Sequence, residues 1–185
     1  TSQMGIQLAQ EMQPTVLGRP VKLLLVDNKS DTAEAANAMS RLVEKEQVAA
    51  VLGPATSSRA LAAATIAEKH QVPLITPTAT NPAITQGRQY AFRVCFIDPF
   101  QGQVAARYAY HNLKARKAAI LTDVSQDYAV ALAAFFKREF QKLGGVVVAE
   151  VKCNTNDQDF SAQLGAIKGT DAEILYLPNY YTEDA

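Results

Sequence analysis

Two short polar loops, GPATSS at residues 53–58 and TPTAT at residues 76–80, carry the side chains best suited to chemistry. Each loop follows an apolar run, and the first one leads into a segment with helical spacing. Hydroxyl groups beside the free backbone N–H groups of a helix start can bind a carboxylate. Hydroxyls and carbonyls of an extended loop can accept hydrogen bonds from an ammonium group. The two loops therefore favour a site for a small polar ligand.

The first loop can be explained with or without a ligand. Gly53 permits a sharp turn close to a bound molecule, and Ser57 or Ser58 is predicted to cap the following helix. The free N–H groups at that helix start would favour an anion. A plain serine N-cap with no ligand is the alternative, and this loop alone leaves both interpretations open.

The second loop presents three hydroxyls in succession, from Thr76, Thr78 and Thr80. Pro77 and Pro82 are expected to hold the backbone extended, so that the hydroxyls and carbonyls point outward. In that orientation they could accept hydrogen bonds from an ammonium group. An ordinary rigid loop is the alternative interpretation.

Motifs of several enzyme classes are absent from the sequence. No glycine-rich dinucleotide motif follows a strand, and no P-loop is present. His70 and His111 fall near predicted helix ends, where surface or capping roles are expected, so a Ser–His catalytic pair is not predicted. Cys95 and Cys153 lack the spacing of metal ligands and are interpreted as small buried hydrophobic residues.

Three carboxylates, Asp123, Asp127 and Asp159, could in principle form a catalytic pair, although Asp159 more simply caps a helix. With this weak candidate and no metal or cofactor motif, we predict no catalytic residues, no metal site and no cofactor. The 18 basic and 18 acidic residues balance, so bulk charge predicts no binding to nucleic acid or to an anionic membrane. No apolar stretch approaches the length of a membrane span.

Six nearly continuous apolar runs alternate with amphipathic helical segments. Such runs are typical of strands that are covered on both faces in a parallel sheet. The runs occupy residues 21–27, 48–53, 72–76, 117–123, 146–151 and 172–177. The predicted helices occupy residues 1–12, 31–46, 58–70, 99–113, 128–143 and 159–169. This alternation predicts an α/β fold with doubly wound parallel sheets.

The alternation is interrupted between residues 76 and 99, where only a short strand is expected near residues 90–95. Regular connections in α/β folds are shorter than this. We therefore expect a functional loop followed by a passage between two lobes. The chain opens on a helix and ends after a strand, so both lobes are expected to be incomplete.

The motifs resemble those of one family in order and spacing. The segments VAAVLGPATSS, QVPLITPTATNPAIT, YAFRVCFIDPFQGQVAARYA and AAILTDVSQDYAVALAAFFKREFQKLGGVVVAE are similar to type I periplasmic binding proteins of the branched-chain amino acid branch. The resemblance implies two α/β lobes that close on a ligand. It assigns residues 1–97 to an N-terminal lobe that lacks its first strand, and residues 98–185 to part of a C-terminal lobe.

The resemblance also implies which residues bind the ligand. It implies that the Ser57 hydroxyl binds the ligand carboxylate and that the Thr78 backbone carbonyl binds the ammonium. It further implies that Thr80 binds the ammonium through its hydroxyl and the carboxylate through its backbone N–H. Tyr128 and Tyr180 are placed on the second lobe, at the edge of the cleft. An acidic ammonium ligand of the family is expected beyond the residues of this chain.

The implied function is a solute-binding receptor that delivers an amino acid or a similar small polar ligand to the membrane permease of an ABC transporter. A periplasmic or extracellular location follows from the same resemblance, with or without a lipid anchor. A ligand-sensing module of a receptor or regulator on the same fold is the alternative, and an α/β enzyme is a third class.

Overall fold

The structure is a computed structural model and describes residues 2–181. Its helices and strands alternate along the chain as the apolar runs predict. The α-helices are α1 (Ser2–Met12), α2 (Thr32–Glu44), α3 (Ser57–His70), α4 (Asp98–Arg107), α5 (Asp127–Lys142) and α6 (Ser161–Lys168). The strands are β1 (Thr15–Val16), β2 (Arg19–Pro20), β3 (Val51–Leu52), β4 (Leu74–Thr76), β5 (Ala91–Arg93), β6 (Lys117–Asp123), β7 (Val146–Cys153) and β8 (Ile174–Tyr176).

Two parallel sheets organise these elements. The first sheet has the order β3-β4-β5, and the second sheet has the order β7-β6-β8. A small antiparallel hairpin, β1-β2, precedes them and was not predicted. A 3₁₀ turn, Pro82–Ile84, interrupts the long connection before β5, and a π turn, Tyr108–Asn112, extends α4. The predicted parallel α/β organisation is confirmed.

The start of α2 follows the sequence signal closely. Asp31 has an extended backbone and accepts a hydrogen bond at 2.8 Å from the backbone N–H of Glu34. This bond satisfies one of the free donors of the first helical turn. The apolar stripe of α2 then buries Ala35 and Met39, and Met39 packs against α3 and β4.

The apolar run at residues 21–27 forms no strand, contrary to the prediction. β3 pairs only with β4, and within residues 2–181 no strand lies along its other edge. Leu23, Leu24 and Leu25 therefore stay exposed to solvent, Leu25 with 74% of its surface. An apolar pattern predicts an extended segment, but a strand also needs a hydrogen-bonding neighbour.

The second sheet carries the larger apolar core. Phe136 and Phe140 of α5 stack on each other at a centroid distance of 5.4 Å, and Phe136 also stacks on Tyr176 of β8. Gly102 lets α4 approach α5 closely, because a side chain there would meet Phe135. This packing holds α4 against the middle of α5.

In the described part of the chain, no helix combines the length and apolar character that crossing a membrane requires.

Candidate functional site

The loops that follow strands of the two sheets come into contact. The hydroxyl of Ser58, at the start of α3, accepts a hydrogen bond at 3.1 Å from the backbone N–H of Asp127, the first residue of α5. The side-chain amide of Asn81 donates to the Asp127 carbonyl at 3.3 Å. Two helix starts, one beside each sheet, therefore lie side by side.

Ser57 lies inside this contact and is buried, with 1% of its surface exposed. Its hydroxyl accepts a hydrogen bond at 3.3 Å from the backbone N–H of Asn81. The predicted cap is wrong, because Ser57 and Ser58 already belong to α3 and Thr56 occupies the N-cap position. Thr56 makes no side-chain cap bond and instead accepts from the guanidinium of Arg59 at 2.7 Å. The serine hydroxyls face neighbouring loops instead of their own helix.

The turn before α3 needs a glycine, as predicted. Gly53 has a φ of +112°, a conformation that favours a residue without a side chain. Its backbone N–H donates to the Ile75 carbonyl at 2.8 Å, which ties the turn to the neighbouring strand β4.

Two of the three threonines in the second loop are oriented differently from the prediction. The Thr76 hydroxyl is fully buried and donates to the Pro54 carbonyl at 2.6 Å, and the Thr78 hydroxyl donates to the Ala55 carbonyl at 2.7 Å. Both side chains point toward the first loop and donate to its backbone carbonyls. They fasten the two loops together.

The two predicted tyrosines, Tyr128 at the start of α5 and Tyr180 after β8, lie against each other. The rings of Tyr128 and Tyr180 stack at a centroid distance of 5.1 Å and an angle of 20°. The Tyr128 hydroxyl accepts a hydrogen bond at 3.0 Å from the side chain of Gln101 on α4. Each ring thus has a fixed orientation, with its apolar face against the other ring.

Tyr180 also approaches the first loop. Burial raises the pKa of Tyr180 to about 12, and neighbouring Tyr128 adds to the rise, while the Ser57 backbone N–H and the charge of Arg59 oppose it. The backbone N–H of Ser57 lowers the pKa of Tyr180 because it lies near the Tyr180 hydroxyl. Ser57, Tyr128 and Tyr180 therefore belong to one cluster, drawn from both sheets.

The alanine at position 129 causes no distortion. Ala129 is fully buried within α5, and its φ is not positive. The helix accommodates its methyl group.

Asp98 joins the cluster without having been predicted. It is the first residue of α4, none of its surface is exposed, and neither of its carboxylate oxygens accepts a hydrogen bond of normal geometry. Its backbone N–H donates to the Thr80 carbonyl at 3.0 Å. An acidic residue before a proline at a helix start is a common pattern, so nothing in the sequence singled it out.

The alternative catalytic candidates have structural partners. The Asp123 carboxylate accepts from the backbone N–H of Ser125 at 2.8 Å and from the Thr155 hydroxyl. Asp159 accepts from the backbone N–H of Ser161 at 2.9 Å, at the start of α6. These bonds stabilise turns and a helix start, so the described contacts give no support to a catalytic carboxylate pair.

The histidines and cysteines form no metal cluster in the described part of the chain. His70, at the end of α3, lies 3.3 Å from the Glu44 carboxylate, and His111 packs against the ring of Tyr110. Cys153 is buried as predicted, whereas Cys95 is only half-buried. Within residues 2–181 no group of three or more potential ligands of the His, Cys, Asp or Glu type could hold a metal ion.

Comparison with known proteins identifies the family. A sequence model described as "periplasmic binding protein" matches residues 2–184. An amino acid binding protein of Pseudomonas aeruginosa is 31% identical over 90% of this chain and 44% of its own length.

Two solved structures share the fold and part of the sequence. The leucine binding protein LivK of Thermotoga maritima has a TM-score of 0.96 and 48% identity, over 98% of this chain and 52% of its own. The branched-chain amino acid transporter substrate binding protein LivJ of Streptococcus pneumoniae, in complex with isoleucine, has a TM-score of 0.89 and 38% identity over the same shares. The chain spans about half the length of the relatives it matches. The resemblance to periplasmic binding proteins inferred from the sequence is confirmed, and this chain belongs to the periplasmic binding protein family.

Proposed function

We propose that the whole protein is an extracytoplasmic solute-binding receptor of an ABC importer, and that it binds an amino acid between two lobes. The observation that carries this proposal is the meeting of Ser57, Tyr128 and Tyr180, in which the start of α3, with the backbone N–H of Ser57, lies beside a stacked aromatic pair from the other sheet. Such a cluster offers polar groups for a charged head group and apolar surface beside them.

In this proposal the ligand carboxylate binds at the start of α3. The Ser57 hydroxyl would donate to it, and the positive end of the helix dipole would stabilise its charge. The Thr78 carbonyl and the Thr80 hydroxyl would bind the ammonium. Thr80 is nearly buried, with 7% of its surface exposed, which favours strong charge-assisted hydrogen bonds.

The two lobes would comprise residues 1–97 and 98–185. Three facts support this division: the first sheet ends with Arg93, α4 begins at Asp98, and all strands of the second sheet follow. Closure would bring Tyr128 and Tyr180 against the hydroxyl loops. Binding would then favour the closed arrangement, because the ligand contacts both lobes only there.

The ligand class is proposed from the relatives. One of the two solved structures is a leucine binding protein and the other is a complex with isoleucine, and both are similar to this chain across nearly its whole length. We therefore propose an amino acid, with leucine as the first probe. The protein would bind this ligand without turnover and release it to a membrane permease, in the periplasm or outside the cell, with or without a lipid anchor.

A thermal-shift screen of the twenty amino acids with the whole protein tests the proposal, followed by calorimetry. A ligand at one hundred times its dissociation constant should stabilise the folded state by about 2.7 kcal/mol. We expect leucine or another branched-chain amino acid to give the largest shift, with the ligand recovered unchanged. The absence of a shift with every amino acid would contradict the proposed function.

A further inference from the structure

Resting on the amino acid binding and lobe closure proposed above, we propose that Ser58 and Asn81 bond to the backbone of Asp127 as a latch that holds the two lobes closed. The Asp127 N–H donates to the Ser58 hydroxyl at 3.1 Å, and the Asn81 side-chain amide donates to the Asp127 carbonyl at 3.3 Å. These two hydrogen bonds form the latch, and they join α3 and the second polar loop to the start of α5. The latch positions the lobes and sets how long a ligand is held, without itself binding the ligand.

The start of α5 takes its cap from the half of the chain that carries the first sheet. The first N–H groups of a helix have no partner within the helix. Gln126 occupies the N-cap position of α5, but in the described contacts its side chain makes no cap bond and donates instead to the Thr155 hydroxyl at 2.7 Å. The Ser58 hydroxyl accepts the Asp127 N–H in its place, and serine is among the residues preferred for this task. Separation of the lobes would therefore leave this N–H to water.

Asn81 is held in position by bonds within its own half of the chain. Its backbone N–H donates to the Ser57 hydroxyl at 3.3 Å, and its side-chain oxygen accepts from the Ala83 N–H at 3.0 Å. Its carbonyl accepts from the Arg93 guanidinium at 2.7 Å, and 9% of its surface is exposed. A donor that is already held in place loses little conformational freedom when it bonds again. The side-chain NH2 group of Asn81 is thus ready to meet the Asp127 carbonyl when the lobes close.

Each latch residue is the sequence neighbour of a residue proposed to bind the ligand. The adjacent pairs are Ser57 with Ser58, Thr80 with Asn81, and Asp127 with Tyr128. Because neighbours in sequence move together, a ligand that draws its binding residues together also brings the latch groups into contact. The latch then stabilises the closed arrangement whichever amino acid is bound.

A permanent contact between the two halves is the alternative, and it predicts a different result. Bonds that are present with and without ligand would contribute to the stability of the fold and leave the affinity unchanged. Bonds made only on closure add to the affinity, and their loss appears as faster release of the ligand. Affinity and release rate therefore distinguish a latch from a permanent contact.

Ser58→Ala removes the acceptor of the first latch bond. In the whole protein, we expect this variant to weaken leucine binding about two- to tenfold, the range for one neutral hydrogen bond. Calorimetry measures the affinity, and displacement of radiolabelled leucine by excess unlabelled leucine measures the release rate, which should rise by a similar factor. Thr65→Ala is the matched control, because this hydroxyl is also on α3 but donates within the helix, to the Leu61 carbonyl at 3.2 Å. The control should leave both quantities unchanged.

Asp127→Pro removes the donor of the same bond. Proline is tolerated at the first position of a helix, and the preceding residue, Gln126, has the extended backbone that a following proline favours, with φ −118° and ψ 117°. Asp127→Ala keeps the N–H and removes the same exposed carboxylate, so it is the reference for this variant. Relative to Asp127→Ala, we expect Asp127→Pro to weaken leucine binding about as much as Ser58→Ala does.

Combining the two changes tests whether Ser58 acts through this bond. If it does, Ser58→Ala should have little further effect on leucine affinity in the Asp127→Pro protein, while keeping its full effect in the Asp127→Ala protein. A Ser58 hydroxyl that bound the ligand directly would instead weaken binding by the same factor in both proteins, and that result would overturn the latch.

The second latch bond provides a separate variant if Asp127→Pro does not fold. Asn81→Asp keeps the side-chain acceptor for the Ala83 N–H but replaces the NH2 donor with an oxygen that repels the Asp127 carbonyl. We expect faster release of leucine from this variant, and release at the wild-type rate would contradict the latch.

The latch and the proposed function fail in different ways. If the wild-type whole protein binds no amino acid, the proposed function is wrong, and the latch with it. If the wild-type protein binds leucine and the Ser58→Ala variant binds and releases it unchanged, the latch alone is wrong.

Discussion

The strands of the first sheet are two or three residues long, whereas β6 and β7 of the second sheet have seven and eight. The apolar cores beside the two sheets also differ, and the second sheet has the larger one. The first sheet packs against small clusters of mostly alanine side chains with single larger residues, Met39, Leu74 and Ile84. The second sheet packs against the stacked rings of Phe136 and Phe140. Apolar burial therefore favours the second sheet.

The two regions also position their candidate ligand groups by different means. The hydroxyl loops of the first sheet are held by side-chain to backbone hydrogen bonds, such as those of Thr76 and Thr78. The tyrosines of the second sheet are held by ring stacking, and Gln101 donates a hydrogen bond to Tyr128. The comparison suggests that substitutions in the second core affect stability most, and that substitutions in the first loops affect binding most.

The largest effect is expected in the core of the second sheet. Phe136 is 1% exposed and contacts both Phe140 and Tyr176. Phe136→Ala should lower the free energy of unfolding by about 3–5 kcal/mol, because it removes apolar burial and leaves a cavity. Denaturant unfolding followed by circular dichroism measures this. Phe136→Leu, which retains most of the volume, should cost much less, and equal losses for both variants would contradict the packing argument.

A binding effect is expected in the first loops. Ser57→Ala should weaken amino acid binding by about 1.5–3 kcal/mol, the value of a charge-assisted hydrogen bond. The variant should also lower the free energy of unfolding, by about 1–3 kcal/mol, because the buried Asn81 N–H loses its acceptor. Calorimetry and denaturant unfolding of the same variant separate the two effects. Unchanged affinity would rule out Ser57 as a ligand residue.

A smaller effect is expected where α4 and α5 approach each other. A Cβ atom at Gly102 would lie 2.7 Å from the Phe135 Cβ and 2.8 Å from the Phe136 backbone nitrogen. Gly102→Ala should therefore destabilise the fold by about 1–3 kcal/mol through overpacking, as measured by denaturant unfolding.

Gly165 provides the matched control, because it lies in α6 and a Cβ atom added there would have no described atom within 4 Å. Gly165→Ala should leave the stability unchanged or raise it by up to about 1 kcal/mol, since alanine favours the helix. A stability gain at both glycines would show that α4 and α5 are not packed as closely as described.

The sequence predicted the second sheet better than the first. The run at residues 117–123 became β6 without change, because it has a neighbouring strand on each side. The run at residues 21–27 has an equally apolar pattern but lacks such a neighbour within the described residues. The apolar pattern of a run indicates how its side chains prefer to be buried. Whether the run forms a strand depends on pairing with segments that are distant in sequence.

The candidate site was predicted in its residue types but not in its contacts. The loops containing Ser57 and Thr80 were recognised because strand ends in α/β sheets commonly carry ligand sites. The inward orientation of the Thr76 hydroxyl and the burial of the Asp98 carboxylate depend on which loops meet in space. Neither could be inferred from spacing along the chain.

Closure of the hydroxyl loops and the stacked tyrosines on one amino acid is the step on which the proposed function depends. Small-angle scattering of the whole protein, with and without saturating leucine, measures this closure, and calorimetry on the same sample verifies binding. We expect the radius of gyration to fall when leucine binds, and Tyr128→Ala to reduce this change. A radius that stays constant while calorimetry shows full occupancy would contradict closure and the placement of both tyrosines in the cleft.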